Sequence, residues 1–284
     1  MLSLWVIDEA VQRALAEDVG KGDLTTNALI PEDAYTEGLI YSKDSGVLAG
    51  MPVARRVFER LDPEVEIDEE LKDGSLLAPG SVIARIRGKG RALLTGERTA
   101  LNFLQRLSGI ATATADLVKI IAGTGASLVD TRKTTPGLRL LEKYAVRIGG
   151  GCNHRLGLDD GVLIKDNHIK AAGGIAEAIR RAKKQIPHTI KIEVEVESIE
   201  QLSEALEAGA DIIMLDNMFP SQMREAVRIT AGRVPLEASG GINRETIREV
   251  AETGVDLISV GAVTHSARAL DISLDLGEMK LFSR

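Results

Sequence analysis

Cysteine is nearly absent from this 284-residue sequence. A single Cys152 excludes an intramolecular disulfide and suits a reducing compartment. It sits in no nucleophile motif and reads as a small buried residue. Long hydrophobic runs are missing too. No stretch reaches the length needed to cross a bilayer. Near the N-terminus, Asp8, Glu9 and Arg13 interrupt the apolar residues, so no signal-peptide block forms. These absences lead us to expect a cytoplasmic protein with no membrane partner. Positive charge is not in excess: 35 Lys and Arg stand against 42 Asp and Glu, a net charge of −7. That balance argues against nucleic acid as a partner. The four histidines show no zinc-ligand spacing, so no transition-metal site is expected. No Gly-rich dinucleotide fingerprint follows the first strand-like run of the C-terminal half, which weighs against a Rossmann fold.

What is present is a soluble-type composition, 44% hydrophobic and 27% charged, in a chain long enough for one large or two domains. The N-terminal part mixes elements. An amphipathic helix is expected over 3–18, ended near Gly20 and the turn Gly22-Asp23. Short Gly-punctuated strands follow between 36 and 91, interrupted by a helix near 52–61, as in a small α+β domain. A further helix is expected over 92–108. Leu93, Ala100, Phe103, Leu104 and Leu107 share its apolar side, and Arg98, Asn102 and Gln105 lie opposite.

Beyond Gly109 the rhythm changes. Apolar strand-like runs at 127–130, 145–148, 161–164, 190–195, 211–215, 235–238 and 257–260 alternate with helical patterns at 174–186, 199–208, 221–231 and 243–252. Strands separated by single helices imply a parallel sheet with right-handed crossovers, here a closed or nearly closed α/β barrel. Nearly every strand ends in a group able to act on a ligand. In order these are Asp130-Thr131-Arg132-Lys133, Lys165-Asp166-Asn167-His168, Glu193 and Glu195, Asp216-Asn217, Ser239-Gly240-Gly241 and Gly261. Ligands of such barrels bind at the C-terminal strand ends.

Charge supports the same rim. Residues 131–170 hold eight Lys or Arg against four acids, a local +4 in an acidic chain. Arg132, Arg155 and Lys165, with Lys133 and His154 adjacent, suit a di- or polyanionic ligand better than three coincidental surface ion pairs. Glu193, Glu195 and Glu197 alternate with apolar residues and share one strand face. Such a face is costly inside a barrel unless paired or ligand-bound. Helix capping explains Glu197 better; for Asp216 capping competes closely with a ligand role. Glu195 and Asp216 are candidates for sugar hydroxyls or a hydrated Mg²⁺. The two glycine turns at 239–241 and 260–262 would let backbone N–H groups approach a phosphate, although ordinary tight turns use the same residues.

Longer motifs add a resemblance. Glu17-Asp-Val-Gly-Lys-Gly-Asp-Leu-Thr-Thr, Glu97-Arg-Thr-Ala-Leu-Asn and Leu107-Ser-Gly-Ile-Ala-Thr lie in the N-terminal half. Asp130-Thr-Arg-Lys-Thr-Thr-Pro-Gly-Leu-Arg, Lys143-Tyr-Ala-Val, Gly149-Gly-Gly-Cys-Asn-His-Arg-Leu-Gly-Leu and Leu163-Ile-Lys-Asp-Asn-His-Ile follow. Glu193-Val-Glu-Val-Glu, Leu215-Asp-Asn-Met, Ala238-Ser-Gly-Gly-Ile and Val260-Gly-Ala-Val-Thr-His-Ser complete the series. In this order they resemble the quinolinate phosphoribosyltransferases (nicotinate-nucleotide pyrophosphorylase, carboxylating) along nearly the whole chain.

The resemblance implies an N-terminal α/β sandwich domain over 1–109, with 268–284 packing back on it. It implies an incomplete, seven-stranded α/β barrel over 110–267. The implied activity joins quinolinate to the phosphoribosyl group of phosphoribosyl pyrophosphate with loss of pyrophosphate and carbon dioxide, a step of NAD biosynthesis. The implied cofactor is Mg²⁺, near Glu195 and Asp216, directly or through water. The implied assembly is a homodimer in which Arg98 completes the neighbouring site; any further assembly is left open. Arg98, Arg132, His154, Arg155 and Lys165 would surround the quinolinate carboxylates, and Thr131 would also bind substrate. Lys133, Lys165, Asn167 and His168 would meet the phosphoribosyl pyrophosphate, with Glu195 and Asp216 at its ribose. Ser239, Gly240, Gly241, Gly261 and His265 would hold the 5′-phosphate. Lys133, Lys165, Glu195 and Asp216 would carry the catalysis. Three alternatives stand beside this reading: the paralogue associated with molybdenum transport operons, another phosphate-binding barrel such as an isomerase of amino-acid biosynthesis, and a phosphosugar sensor without turnover. The Asn153-His154-Arg155 and Lys165-Asp166-Asn167-His168 motifs favour quinolinate over the first. The cation cluster is unexplained by the second, and a full set of transfer-site residues speaks against the third.

Overall fold

The computed structural model describes residues 2–281, and the chain divides into two compact units. One comprises the chain through Ala115, the segment Thr135–Gly150 and the chain from Ser266 onward; the other comprises Asp116–Thr134 and Gly151–His265. The helix Gly90–Ile120 carries the chain from the first into the second, twelve residues beyond the end expected at 108. Its extension has an apolar period of its own, with Ile110, Ala111 and Leu117 buried.

In the first unit, Ile272–Leu276, Ala34–Ser42, Val82–Lys89 and Glu66–Glu69 form an antiparallel sheet in that order, with Lys280–Leu281 also pairing on Ala34–Ser42. Residues of Ala34–Ser42 alternate between buried and more exposed, as one covered face requires. The helices Leu4–Val19 and Met51–Leu61 supply much of the remaining core through Ile7, Val11, Val53, Val57 and Phe58.

Two expectations need correcting. Residues 145–148 are not a strand: they end the helix Arg139–Ile148, whose buried Leu141, Glu142, Ala145 and Val146 recur at helical spacing. This helix falls in the first unit. It is fastened by Arg106, whose Nε and Nη2 donate to Glu142 Oε1 at 3.1 and 2.8 Å, and by Tyr144 Oη, which donates to Asp73 at 2.6 Å. Secondly, Cys152 is exposed rather than buried. It forms an isolated parallel bridge with Val129 at the edge of a sheet, where little covers the thiol.

That sheet makes the second unit. Six parallel strands run in the order Ser127–Val129, Leu257–Ser259, Leu236–Ser239, Ile212–Asp216, Ile192–Val196, Val162–Ile164. Helices such as Ile175–Gln185, Ile199–Ala208 and Pro220–Thr230 intervene in sequence. One strand face carries Ile192, Val194, Val196, Ile213, Leu215, Leu236, Ala238 and Ile258, none more than 2% exposed. Period two then sends the intervening residues to the other face: Glu193, Glu195, Met214, Asp216, Glu237, Ser239 and Ser259. Register aligns Glu195 with Met214, Met214 with Glu237, and Asp216 with Ser239. A row of polar groups is therefore built into the sheet itself.

Candidate active site

This polar face and the strand ends above it enclose a cavity of about 840 Å³ in the second unit. Thr131, Arg132, Lys133, His154, Arg155, Lys165, Glu195, Asp216, Ser239, Gly240, Gly241, Gly261 and His265 all line it. Three sequence candidates do not. Arg98 is exposed on Gly90–Ile120 within the first unit. Asn167 and His168 are exposed on the short helix Asp166–Ala172. His168 has a local task there: its Nδ1 accepts the Lys165 N–H at 3.0 Å and caps the helix.

The cations are held by the chain around them. Arg155 Nη1 donates to the Gly161 carbonyl at 2.9 Å. Burial, and then the neighbouring Arg132 guanidinium, pull the Arg155 pKa down; Glu193 and Asp160 oppose them. Two guanidiniums that disfavour each other's charge would be relieved by an anion placed between them. Lys165 Nζ lies 2.8 Å from Glu195 Oε2. The Lys133 N–H donates to Thr131 Oγ1 at 3.0 Å, and Thr264 Oγ1 donates to the Lys133 carbonyl at 2.8 Å, which fixes the turn carrying the lysine.

On the opposite side, Asp216 Oδ2 accepts from Asn217 Nδ2 at 2.7 Å, and the Asn217 N–H donates to the Ser239 carbonyl at 2.9 Å. Asn217 has a left-handed backbone, φ 53°. Its side chain lies against Gly240, where an added Cβ would come 2.2 Å from Asn217 Oδ1. Asn217 thus joins the carboxylate of one strand end to the glycine turn of the next. Sequence reading placed it beside Asp216 without giving it a task.

Beneath the cations is a layer that the motif reading left without a role. Asp130, fully buried, accepts from Asn153 Nδ2 at 2.6 Å and from the His154 N–H at 2.9 Å. His154 Nδ1 accepts the Arg155 N–H at 2.7 Å, and Nε2 lies 3.0 Å from Glu193 Oε2 and 3.7 Å from Glu237 Oε1. Ligand-capable atoms of His154, Glu193 and Glu237 lie within 4.8 Å of one another, a grouping that histidine spacing could not reveal. Glu193 Oε1 and Glu237 Oε1 have no hydrogen-bond partner. Burial pushes the Glu237 carboxyl up to about 7, helped by the Glu193 charge and opposed by His154. The signal for Glu237 was present but faint: one acid within the strand run Leu236-Glu-Ala-Ser.

Comparison with known proteins gives this geometry a family. Residues 23–108 match the N-terminal domain of quinolinate phosphoribosyl transferase, and residues 110–275 match its C-terminal domain. The probable nicotinate-nucleotide pyrophosphorylase [carboxylating] of Bacillus subtilis is 49% identical over 260 residues, spanning 92% of this chain and 90% of that protein. Quinolinate phosphoribosyltransferase [decarboxylating] 2 of Nicotiana glauca is 41% identical over 289 residues, spanning 95% of this chain and 82% of that protein. The crystal structure of NadC from Streptococcus pyogenes superposes with a TM-score of 0.94 at 44% identity, covering 100% of this chain and 99% of that one. With both domain models matched in order and identity of this level along almost its full length, the chain belongs to the quinolinate phosphoribosyl transferase family.

Proposed function

We propose that the cavity transfers the phosphoribosyl group of phosphoribosyl pyrophosphate to quinolinate, giving nicotinate mononucleotide, pyrophosphate and carbon dioxide. The observation that carries this reading is the convergence of Arg132, Lys133, Arg155 and Lys165 on one cavity that also holds the carboxylates of Glu195 and Asp216 and two glycine turns. A dianionic acceptor and a polyphosphate donor together need such a division of charge. Full-length relatives that carry the carboxylating and decarboxylating names support it.

The reaction follows from the groups present. Arg132 and Arg155 hold the acceptor's carboxylates, with His154 fixing the Arg155 turn. Thr131 and Lys133 face the diphosphate from one side, and Lys165, tied to Glu195, orients over the ribose. The pyridine nitrogen attacks the anomeric carbon as the bond to pyrophosphate breaks. Glu195 and Asp216 favour the positive charge developing on the sugar, and the lysines favour the negative charge on the leaving group. Ser239, Gly240, Gly241, Gly261 and His265 take the 5′-phosphate. The pyridinium then accepts the electron pair of the carbon–carbon bond as the 2-carboxylate leaves as carbon dioxide. His168, exposed and outside the lining, caps the Lys165 turn, and Asn167 lies exposed beside it on the same short helix.

Mg²⁺ bound with the diphosphate would supply further neutralisation of the leaving group. The residues fit that ion as outer neighbours, because Glu195 Oε2 is engaged by Lys165 and Asp216 Oδ2 by Asn217. Glu195 and Asp216 would hold it through water, as is usual for an ion that keeps most of its hydration. We read the sheet as an open seven-stranded barrel, the bridge of Cys152 to Val129 supporting a minimal extra strand. We read the molecule as a homodimer in which the exposed Arg98 serves a neighbour's cavity, and as cytoplasmic on the strength of its single free cysteine. Among the described residues no helix is long and apolar enough to cross a membrane.

Incubating the protein with quinolinate, phosphoribosyl pyrophosphate and Mg²⁺, with nicotinate as a parallel acceptor, tests the reaction. Nicotinate mononucleotide from quinolinate alone is the expected result. No product from a folded protein would move the function to the molybdenum-operon paralogue or to a sensor.

A further inference from the structure

Decarboxylation leaves an electron pair on ring carbon 2, and a proton must arrive there before nicotinate mononucleotide can form. None of the groups assigned above is suited to deliver it. Lys133 is assigned to the diphosphate, Lys165 and Glu195 are paired with each other, and the arginines do not give up protons at neutral pH. We propose that Glu237, on the floor of the cavity, donates this proton, and that His154 returns one to it. The inference rests on the decarboxylating activity proposed above.

Geometry carries the assignment. Glu237 is one of the cavity-lining residues, yet only 2% exposed, and its Oε1 has no hydrogen-bond partner. A buried carboxylate with one oxygen unsatisfied is costly as an anion and far less costly as a neutral acid. Its flanking strand neighbours, Met214 and Leu257, are apolar and offer it no charge. The titratable groups acting on it are Glu193 and Asp130, which keep its proton on, and His154, which favours its release; the Ser259 hydroxyl acts in the same direction as His154. Arg155 acts on Glu193 rather than on Glu237 directly. The net effect is a carboxyl held near neutrality, pushed up to about 7. A dianionic acceptor under Arg132 and Arg155 would hold the proton on more firmly still.

The balance of the step is closed. The bond from carbon 2 to its carboxylate breaks, carbon dioxide leaves, and the electron pair stays on the ring. That pair takes the Glu237 proton, forming the new C–H bond and leaving Glu237 as a carboxylate. Reprotonation has a path: His154 Nε2 stands 3.7 Å from Glu237 Oε1 and 3.0 Å from Glu193 Oε2. The imidazole therefore bridges the two acids, and solvent in the emptied cavity completes the exchange.

The test uses the full chain with quinolinate, phosphoribosyl pyrophosphate and Mg²⁺. Glu237→Gln keeps the shape and removes the acid. We expect kcat to fall about 100-fold or more, the scale of a lost general acid, with KM for quinolinate changed less than about threefold. The wild-type kcat falls at alkaline pH as Glu237 loses its proton. In Glu193→Gln that fall moves to lower pH, because the charge that keeps the proton on Glu237 is gone. This second variant decides the matter if Glu237→Gln does not fold. A Glu237→Gln enzyme within about fivefold of wild-type kcat, a loss confined to KM, or an alkaline limb unmoved in Glu193→Gln overturns the proposal. An inactive wild type instead overturns the functional reading beneath it, so the two failures are told apart.

Discussion

At the scale of single residues, Gly240 shows how little room the cavity rim leaves. Its φ of +96° is strained for any side chain, and a Cβ would meet Asn217 Oδ1 at 2.2 Å. Asn217 cannot retreat without releasing Asp216. We predict that Gly240→Ala raises the KM for phosphoribosyl pyrophosphate at least about tenfold, with a much smaller change for quinolinate, as a misplaced positioning group would. Steady-state kinetics with each substrate varied in turn checks this. Arg132→Ala should do the reverse. It removes a guanidinium expected to meet two carboxylate oxygens, a contribution of about 2–3 kcal/mol for a charge-assisted pair, and so lowers kcat/KM chiefly through quinolinate. An unchanged kcat/KM would withdraw Arg132 from the acceptor site.

Glu237 also links the site to stability. Its pKa in the fold is raised from 4.5 to about 7. The folded state therefore holds a proton that the unfolded chain releases. Its contribution is fully present below pH 4.5 and is lost as pH rises through about 7. Removing the acid removes that loss. Glu237→Gln should thus be more stable than the wild type at pH 8, by at most about 3 kcal/mol, with the gap closing toward pH 4.5. Urea unfolding at the two pH values measures it. A variant equally stable at both would show that Glu237 is not held neutral by the fold.

At the scale of elements, strand ends were the legible part. Alternating apolar and acidic residues in Ile192–Val196, and the apolar run of Ile212–Asp216 closed by an acid, announce both the strands and the end that meets the ligand. Local sequence does not say which helix an apolar run belongs to once tertiary contacts decide it. The run 145–148 has the look of a strand, but Arg106 and Asp73, distant in sequence, fasten the helix that contains it. The acid floor was hidden for the same reason: Asp130, His154, Glu193 and Glu237 come from four separate segments. The helix Arg139–Ile148 makes its own prediction. Arg106→Ala would leave Glu142, which is fully buried, without its ion pair, though the Thr135 N–H still reaches Oε2 at 3.0 Å. Arg106 is itself partly exposed, so a loss of about 2–4 kcal/mol is expected rather than the upper range for buried pairs. Denaturant unfolding checks it; a change below about 0.5 kcal/mol would mean that packing alone secures the helix.

At the scale of the whole molecule, the division of charge raises the question of assembly. The cavity's own cations come from the strand ends of one unit, while Arg98 stands exposed on another part of the chain, outside the lining. An isolated exposed arginine needs no explanation, yet this one lies in the motif Glu97-Arg-Thr-Ala-Leu-Asn that the family match includes. If Arg98 acts on a neighbour's cavity, Arg98→Ala and Arg132→Ala dimers, assayed at limiting quinolinate, are each strongly impaired for a different reason. Mixing them with exchange of subunits makes hybrid dimers. In each hybrid one cavity lacks both arginines and the other lacks neither. Random exchange makes half the dimers hybrid, with one of two cavities intact, so activity returns to about a quarter of wild type. If Arg98 served its own subunit's cavity, every cavity in the mixture would still lack one arginine, and mixing would restore nothing. The recovery of activity after subunit exchange therefore decides both the oligomeric state and the direction in which Arg98 works.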